Sequence, residues 1–177
     1  METKTAVAIQ GIRGSFHHVV AQHYFGERLS LVECETFDAT VAALLDGTAD
    51  QAVMAIENSI AGSIIPNYAL IDQNDLQIVG EYGLRIHHNV MALPGQTMAD
   101  IKEVHSHAMA LLQCKTFFQS FPHIRLVEAE DTADEARRIA ADQCRGIAAI
   151  ASKEAAALFG LTILAPSIQT IQNNVTR

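Results

Sequence analysis

Runs of apolar residues bounded by turn formers recur along the chain and predict strands at 5–10, 31–35, 52–56, 103–105, 124–129, 147–151 and 161–164. Between them the apolar spacing becomes helical, as at Val41, Leu44 and Leu45 ahead of the turn at Asp46 and Gly47. Alternation of this kind predicts an α/β fold with largely parallel sheets. One run is anomalous. Residues 77–93 are too long for an ordinary strand, and Gly80 and Gly83 interrupt them. They read as two strands, or as a crossover between two α/β lobes that face each other across a cleft, with the chain returning near 161–168. On that reading residues 1–80 with 163–177 form one lobe and 81–162 the other. The alternative is a hairpin inside one sheet.

Composition narrows the class. The chain has 177 residues, 49% of them apolar, which suffices for one large domain or two small lobes with a proper core. Twelve basic against 20 acidic side chains leave a formal charge of −8. That balance argues against nucleic acid or an anionic membrane as the main partner, since both need a basic face. Taken globally, the same field would repel an acidic small molecule. The N-terminus lacks the charged head and long apolar run of a secretory leader, and no apolar stretch nears the roughly 20 residues of a membrane helix. Cys34, Cys114 and Cys144 are scattered without CxxC spacing, so neither a disulfide framework nor a zinc cluster is expected. Cys114 and Cys144 read as helix packing residues. A reduced, soluble, cytoplasmic protein is the expectation. Eight histidines invite a metal reading, but the neighbours His17 and His18, and His87 and His88, point apart, and no HxxxH or HExxH spacing occurs. No metal site is expected.

Candidate chemistry collects where strands hand over to helices. Open α/β sheets bind ligands beyond the carboxyl ends of their strands, where helix N-termini offer N–H groups. Five junctions qualify. Gln10-Gly11-Ile12-Arg13-Gly14-Ser15-Phe16 follows the first strand, with Ser15 as helix cap and Arg13 as a nearby charge. Ala55-Ile56-Glu57-Asn58-Ser59 ends a strand in three polar residues before the small turn Ala61-Gly62-Ser63. Asn58 and Ser59 are placed there to hydrogen-bond a ligand, with Glu57 as orienter or base. Val104-His105-Ser106-His107 opens an apolar helix capped by Ser106, and Gln113 lies two turns in, at a core edge or reaching into a cleft. Glu130-Asp131-Thr132-Ala133 offers Asp131 or Thr132 as a cap, with acids in the first turn. Ile150-Ala151-Ser152 repeats the strand-to-serine pattern, and Gly160 ends that helix. Each junction is also ordinary helix-start chemistry. Aimed together at one cleft, they would make a site for small carboxylates.

The chain ends in Asn173-Asn174-Val175-Thr176-Arg177, on a hydroxyl and a guanidinium, and reads as cut rather than tapered. Taken in order, its motifs resemble the catalytic domain of the prephenate dehydratase family. The matching pieces are Gly11-Ile12-Arg13-Gly14-Ser15-Phe16; Ile56-Glu57-Asn58-Ser59 with Gly62-Ser63; Ser106-His107 with Gln113-Cys114; and Asp131-Thr132-Ala133. Ala148-Ala149-Ile150-Ala151-Ser152 with Gly160-Leu161, and Asn174-Val175-Thr176-Arg177, complete the set, which spans essentially the whole chain. Some positions depart. The family closes on Thr-Arg-Phe, and this chain stops before the phenylalanine. Thr170 stands where an acidic or amide residue commonly precedes that pair, and Ile12 and Ala108 stand where proline is usual.

The resemblance implies an α/β fold of two lobes like the type II periplasmic binding proteins, with mixed sheets around a central cleft. It implies a carbon–oxygen lyase of phenylalanine biosynthesis that converts prephenate to phenylpyruvate, water and carbon dioxide. Aromatisation drives that reaction, so no cofactor is expected. A homodimer or larger homo-oligomer is expected, and the C-terminal phenylalanine-binding ACT domain of many members is not expected within these residues. Thr176 is assigned to the leaving hydroxyl and Arg177 to a substrate carboxylate, with Glu57, Asn58 and Ser59 beside the reacting groups. Glu57 would orient rather than abstract a proton. Thr132, Gln113, Ser106, Ser15 and Asn174 are expected to hold the rest of the substrate. Two alternatives stay open: an arogenate dehydratase, whose substrate carries an amine for the keto group, and a non-catalytic module of the same fold that binds small carboxylates. For such a ligand, local N–H groups and one arginine outweigh a distant, screened net charge.

Overall fold

The computed structural model describes residues 4–177, which divide into two compact units. One runs through Ile86 and includes Asn173–Arg177; the other is His87–Gln172. The first is built on β1 (Thr5–Gln10), paired in parallel with β2 (Leu29–Cys34) on one side and β3 (Gln51–Val53) on the other. Side chains alternate across a strand. Val7 and Ile9 therefore pack with Ala21 of α1 (Phe16–Phe25), while Ala8 packs on the opposite face with Ala49 and with Ala43 of α2 (Phe37–Leu45). Apolar cover on both faces is what a parallel sheet needs.

The same unit holds a small antiparallel sheet of two-residue strands. They are β4 (Glu57–Asn58), β5 (Gly62–Ser63), β6 (Leu84–Arg85) and, from the chain's last residues, β12 (Val175–Thr176). Their order is β5-β4-β12-β6, which puts the tail in the middle. Helix α3 (Ile65–Gln73) follows β5, with Pro66 in its first turn and no side-chain cap.

The second unit is a five-stranded mixed sheet of β7 (Asn89–Ala92), β8 (Glu103–His107), β9 (Arg125–Ala129), β10 (Ile147–Ala151) and β11 (Thr162–Ala165). The order is β11-β7-β10-β8-β9, with β7 antiparallel to both its neighbours. Ala148 and Ile150 face a core shared with Ala110, Leu111, Cys114 and Phe118 of α4 (Ala108–Phe118). Ala149 and Ala151, also buried, point the other way. On that side α5 (Thr132–Ala141) packs on β10 and against α6 (Lys153–Phe159).

Three expectations change here. The units part at Ile86 and His87 and at Gln172 and Asn173, not at 80 and 162, because β11 pairs with β7 while β6 pairs with β12. Residues 77–93 do hold two strands, as expected: β6 and β7 lie in different sheets, so the alternative of a hairpin inside one sheet is excluded. The sheets are mixed, as the family resemblance implies, rather than largely parallel as the alternation predicts, since only β1 to β3 and the β10-β8-β9 block run parallel. Finally, the junction at Glu57 is a hairpin rather than a helix start. Asn58 Oδ1 accepts from the Ile60 and Ala61 amides, both at 3.0 Å, and Gly62 turns the chain at φ 83°, a conformation that favours glycine. No helix among the described residues is long and apolar enough to cross a membrane.

Candidate active site

Six of the sequence-selected residues meet on the small sheet: Glu57, Asn58, Ser59, Asn174, Thr176 and Arg177. Backbone bonds hold the tail there. The Ser59 amide donates to Val175 O at 2.9 Å, Arg177 N to Glu57 O at 2.8 Å, and Ile86 N to Asn174 O at 2.8 Å. Thr176 lies opposite Asn58 on one side and Leu84 on the other.

Asn58 Nδ2 donates to Asn174 Oδ1 at 2.7 Å and to Thr176 Oγ1 at 2.8 Å. With its oxygen already taken by two amides, both ends of the side chain are fully used. The bond also directs Thr176: its oxygen receives a proton donor from Asn58, so its own O–H points elsewhere. Ser59 serves the tail instead, its Oγ accepting from Val175 N at 2.9 Å and donating to Asn173 O at 3.2 Å. Arg177 sits between two carboxylates, with Nε 3.3 Å from Glu81 and Nη1 3.7 Å from Glu57. All three side chains are largely exposed, so these pairs orient the guanidinium more than they stabilise the fold.

Glu81 was not among the residues read from sequence. Its segment lies on α1: a Cβ on Gly80 would collide with the Tyr24 hydroxyl, and Tyr82 stacks on His23 at 5.7 Å between centroids. The interrupting Gly80 was the signal, read only as a strand break. Ser15 is in this unit too, buried, and caps α1 as expected by accepting from His18 N at 3.3 Å.

The other three selected residues belong to the second unit. Ser106 is a correction, because it caps nothing. Strand β8 runs on to His107 in register with β9, so Ser106 is fully buried in the sheet and donates to Ile150 O at 2.7 Å. The cap of α4 is His107, whose Nδ1 accepts from Met109 N at 3.2 Å. Thr132 begins α5 behind the cap Asp131, which takes the amides of Ala133 and Asp134 at 2.8 and 2.9 Å. Gln113 is half-buried on α4, with Oε1 3.0 Å from His88 Nε2. Burial lowers the basicity of His88, the bond to Gln113 opposing it and the neighbouring His87 adding to it. Nothing in the spacing of His87 and His88 along the sequence signals this contact, because Gln113 lies 25 residues away.

Elsewhere in this unit, Glu103 and Glu135 flank His105 at 2.8 and 3.4 Å, Arg125 pairs with Glu103, and Arg138 pairs with Glu135. This row ties α5 to β8 and β9, and His105 and Arg125 donating into Glu103 hold its carboxyl below the usual range. Cys114 is a packing residue whose thiol is pushed up to about 12 by burial. Among the described residues, no group of three His, Cys, Asp or Glu side chains is placed to hold a metal.

The prephenate dehydratase family pattern matches residues 7–177. The chain belongs to the prephenate dehydratase family. It is 38% identical to arogenate dehydratase/prephenate dehydratase 2 of Arabidopsis thaliana, a chloroplastic protein, over 99% of this chain and 45% of that one. The chain thus spans less than half the length of that relative. Prephenate dehydratase of Arthrobacter aurescens, solved in complex with L-Phe, superposes with a TM-score of 0.88 at 27% identity, over 97% of this chain and 58% of that one. A second solved structure, described as a novel type of quorum quenching acylase, superposes at 0.86 with 32% identity, over 97% of this chain and 61% of its own.

Proposed function

We propose that this prephenate dehydratase family member catalyses the decarboxylating dehydration of prephenate to phenylpyruvate. The observation that carries the reading is the Thr176 hydroxyl held by Asn58 with Arg177 as its neighbour. In the reaction the bond to the ring carboxylate breaks and its electrons enter the ring. The carbon–oxygen bond opposite breaks, and the hydroxide takes one proton to leave as water. Thr176 donates toward that oxygen. A threonine hydroxyl is a poor acid at neutral pH, so it acts as a polarising donor, and the Asn58 N–H on its oxygen offsets charge as the proton moves. Arg177 grips a carboxylate through its Nη edge, Glu81 occupying Nε.

Two specific observations bear on other readings. Acyl hydrolysis, the activity named for one structural neighbour, needs a base that takes the nucleophile's proton. The side chain bonded to Thr176 is instead the amide of Asn58, which cannot. Arogenate as a second substrate is favoured by Glu57 and Glu81, which offer carboxylates to an ammonium beside the carboxylate that Arg177 would hold. The test is Thr176→Ala assayed with prephenate and with arogenate. Turnover should fall by about 10²-fold or more, while substrate affinity measured by calorimetry stays within a few-fold. Normal turnover in that variant would sink the reading. We also propose self-association, supported by the exposed Ile65, Ile78 and Val79 of the first unit; light scattering that returns a monomer would remove it. A cytoplasmic location, supported by three cysteines without disulfides, is tested by cell fractionation.

A further inference from the structure

The base missing beside Thr176 stands beside another hydroxyl. Ser167 Oγ lies 3.2 Å from Nδ1 of His87, and both residues belong to the second unit. Whether such a contact activates the serine depends on which partner carries the proton, and the surrounding amides decide that.

His88 N can only donate, and it donates to Gln169 Oε1 at 2.9 Å, so the NH₂ end of Gln169 faces the other way. Gln172 requires the same. Its Nε2 donates to the backbone oxygens of Gln169 and Ser167 at 2.7 and 3.4 Å, which leaves its Oε1 to accept from Gln169 Nε2 at 3.1 Å. That same Nε2 lies 3.3 Å from His87 Nδ1. A donor there makes Nδ1 the bare nitrogen of the neutral ring and puts the ring proton on Nε2. The Ser167 O–H is therefore the donor of its pair, aimed at an imidazole lone pair. Gln169 shares that lone pair, and it retains Gln172 Oε1 when Nδ1 takes up a proton.

The backbone of Ser167 is a second, independent observation. Its φ is 51°, in the left-handed region that favours glycine, and a serine stays there only where its surroundings impose it. Two bonds do so. Ser167 N donates to Asn89 Oδ1 at 3.1 Å, Asn89 being fixed in turn by its Nδ2 on Ala151 O at 3.1 Å. Ile168 N donates to His88 O at 2.8 Å. Ser167 is half-buried and His87 exposed, so a small molecule can reach the pair.

We propose that Ser167 and His87 form a nucleophile–base pair that attacks small activated esters, such as the acetyl ester of a phenol. Ser167 Oγ bonds to the carbonyl carbon while its proton passes to His87 Nδ1. The carbon–oxygen bond to the phenol then breaks, and the departing oxygen takes that proton. Water, its proton drawn by Nδ1, attacks the acyl-serine and releases a carboxylic acid, the proton returning to Ser167 Oγ. The sum is ester plus water giving acid plus phenol.

The 177-residue chain incubated with p-nitrophenyl acetate should carry an acetyl group on Ser167, located by peptide mass spectrometry, and a fluorophosphonate should label the same oxygen. Nitrophenol release should exceed that of Ser167→Gly, the substitution suited to the left-handed backbone, by about tenfold or more. His87→Gln keeps a polar side chain but offers no base, and should cut labelling of Ser167 by about tenfold or more. An unlabelled Ser167 in the parent chain, a result that needs no variant to fold, would overturn the proposal. Undiminished labelling in His87→Gln would do the same. Turnover of prephenate by Ser167→Gly should stay within about threefold of the parent; a parallel loss would place Ser167 in the dehydratase reaction and overturn the separate activity. Labelling itself does not depend on the dehydratase reading, so a parent labelled at Ser167 but inert toward prephenate would sink that reading and leave this one supported.

Discussion

Asn58 bonds Asn174, Thr176 and two backbone amides at once, so an aspartate of the same shape tests what its two N–H donors contribute. In Asn58→Asp a carboxylate would face Asn174 Oδ1 and would capture the Thr176 proton. Turnover should fall by about 10²-fold or more, with a stability loss of roughly 1–3 kcal/mol by chemical denaturation. A variant with unchanged turnover would show that Thr176 does not depend on this bond. His17 makes a second residue-level prediction. Its ring meets Phe37 edge-on at 5.5 Å, and burial, opposed by a bond to the Gln10 backbone, pushes its pKa down to about 4 from the ordinary 6.5. Above pH 6.5 the ring is neutral in both folded and unfolded chains. As pH falls below that, only the unfolded chain takes up the proton, so stability present above 6.5 is lost on approaching 4, by up to about 3 kcal/mol. His88 is shifted in the same direction. Urea midpoints at pH 7 and 4.5 should differ less in His17→Leu than in the parent, and an identical difference would exclude His17 as the source.

Among the elements, α4 carries a local imperfection that sequence alone could name but not explain. Ala108, standing where proline is usual in the family, is the first residue of the helix, the position whose N–H has no partner within the helix. His107 before it has φ −57° and ψ 140°, which a following proline tolerates. Ala108→Pro should therefore stabilise the chain by about 0.4–1 kcal/mol, seen as a raised melting temperature; a lowered one would mean that its N–H is needed. Elements like β1 and β10 were legible to the residue, because a strand covered on both faces is a continuous apolar run. The strands β4, β5, β6 and β12 were not. Two residues have no periodicity to read, and β12 meets β4 across 118 residues of chain. Ser106 was misassigned for a related reason, since polar Ser106 and His107 hide the continuation of β8.

For the whole molecule, the two units differ in how they can be cut. The second is one contiguous stretch, His87–Gln172, with its own core around Ile101, Val104, Cys114, Phe118 and Ile150. Expressed alone it should unfold cooperatively, as followed by circular dichroism; a molten fragment would show that its core needs the rest of the chain. The first unit is discontinuous, and its final residues are an inner strand of the small sheet, bonded on both sides. Residue types and their order were enough to establish the α/β class, three of the helix caps (Ser15, Asp131 and Ser152) and the family, because helix starts, buried strands and family motifs are local patterns. Only the tertiary structure decided that the tail lies against Glu57 and Asn58, that Glu81 meets Arg177, and that His88 meets Gln113. Those contacts join residues far apart in sequence, whose closeness depends on register and packing rather than on any short motif.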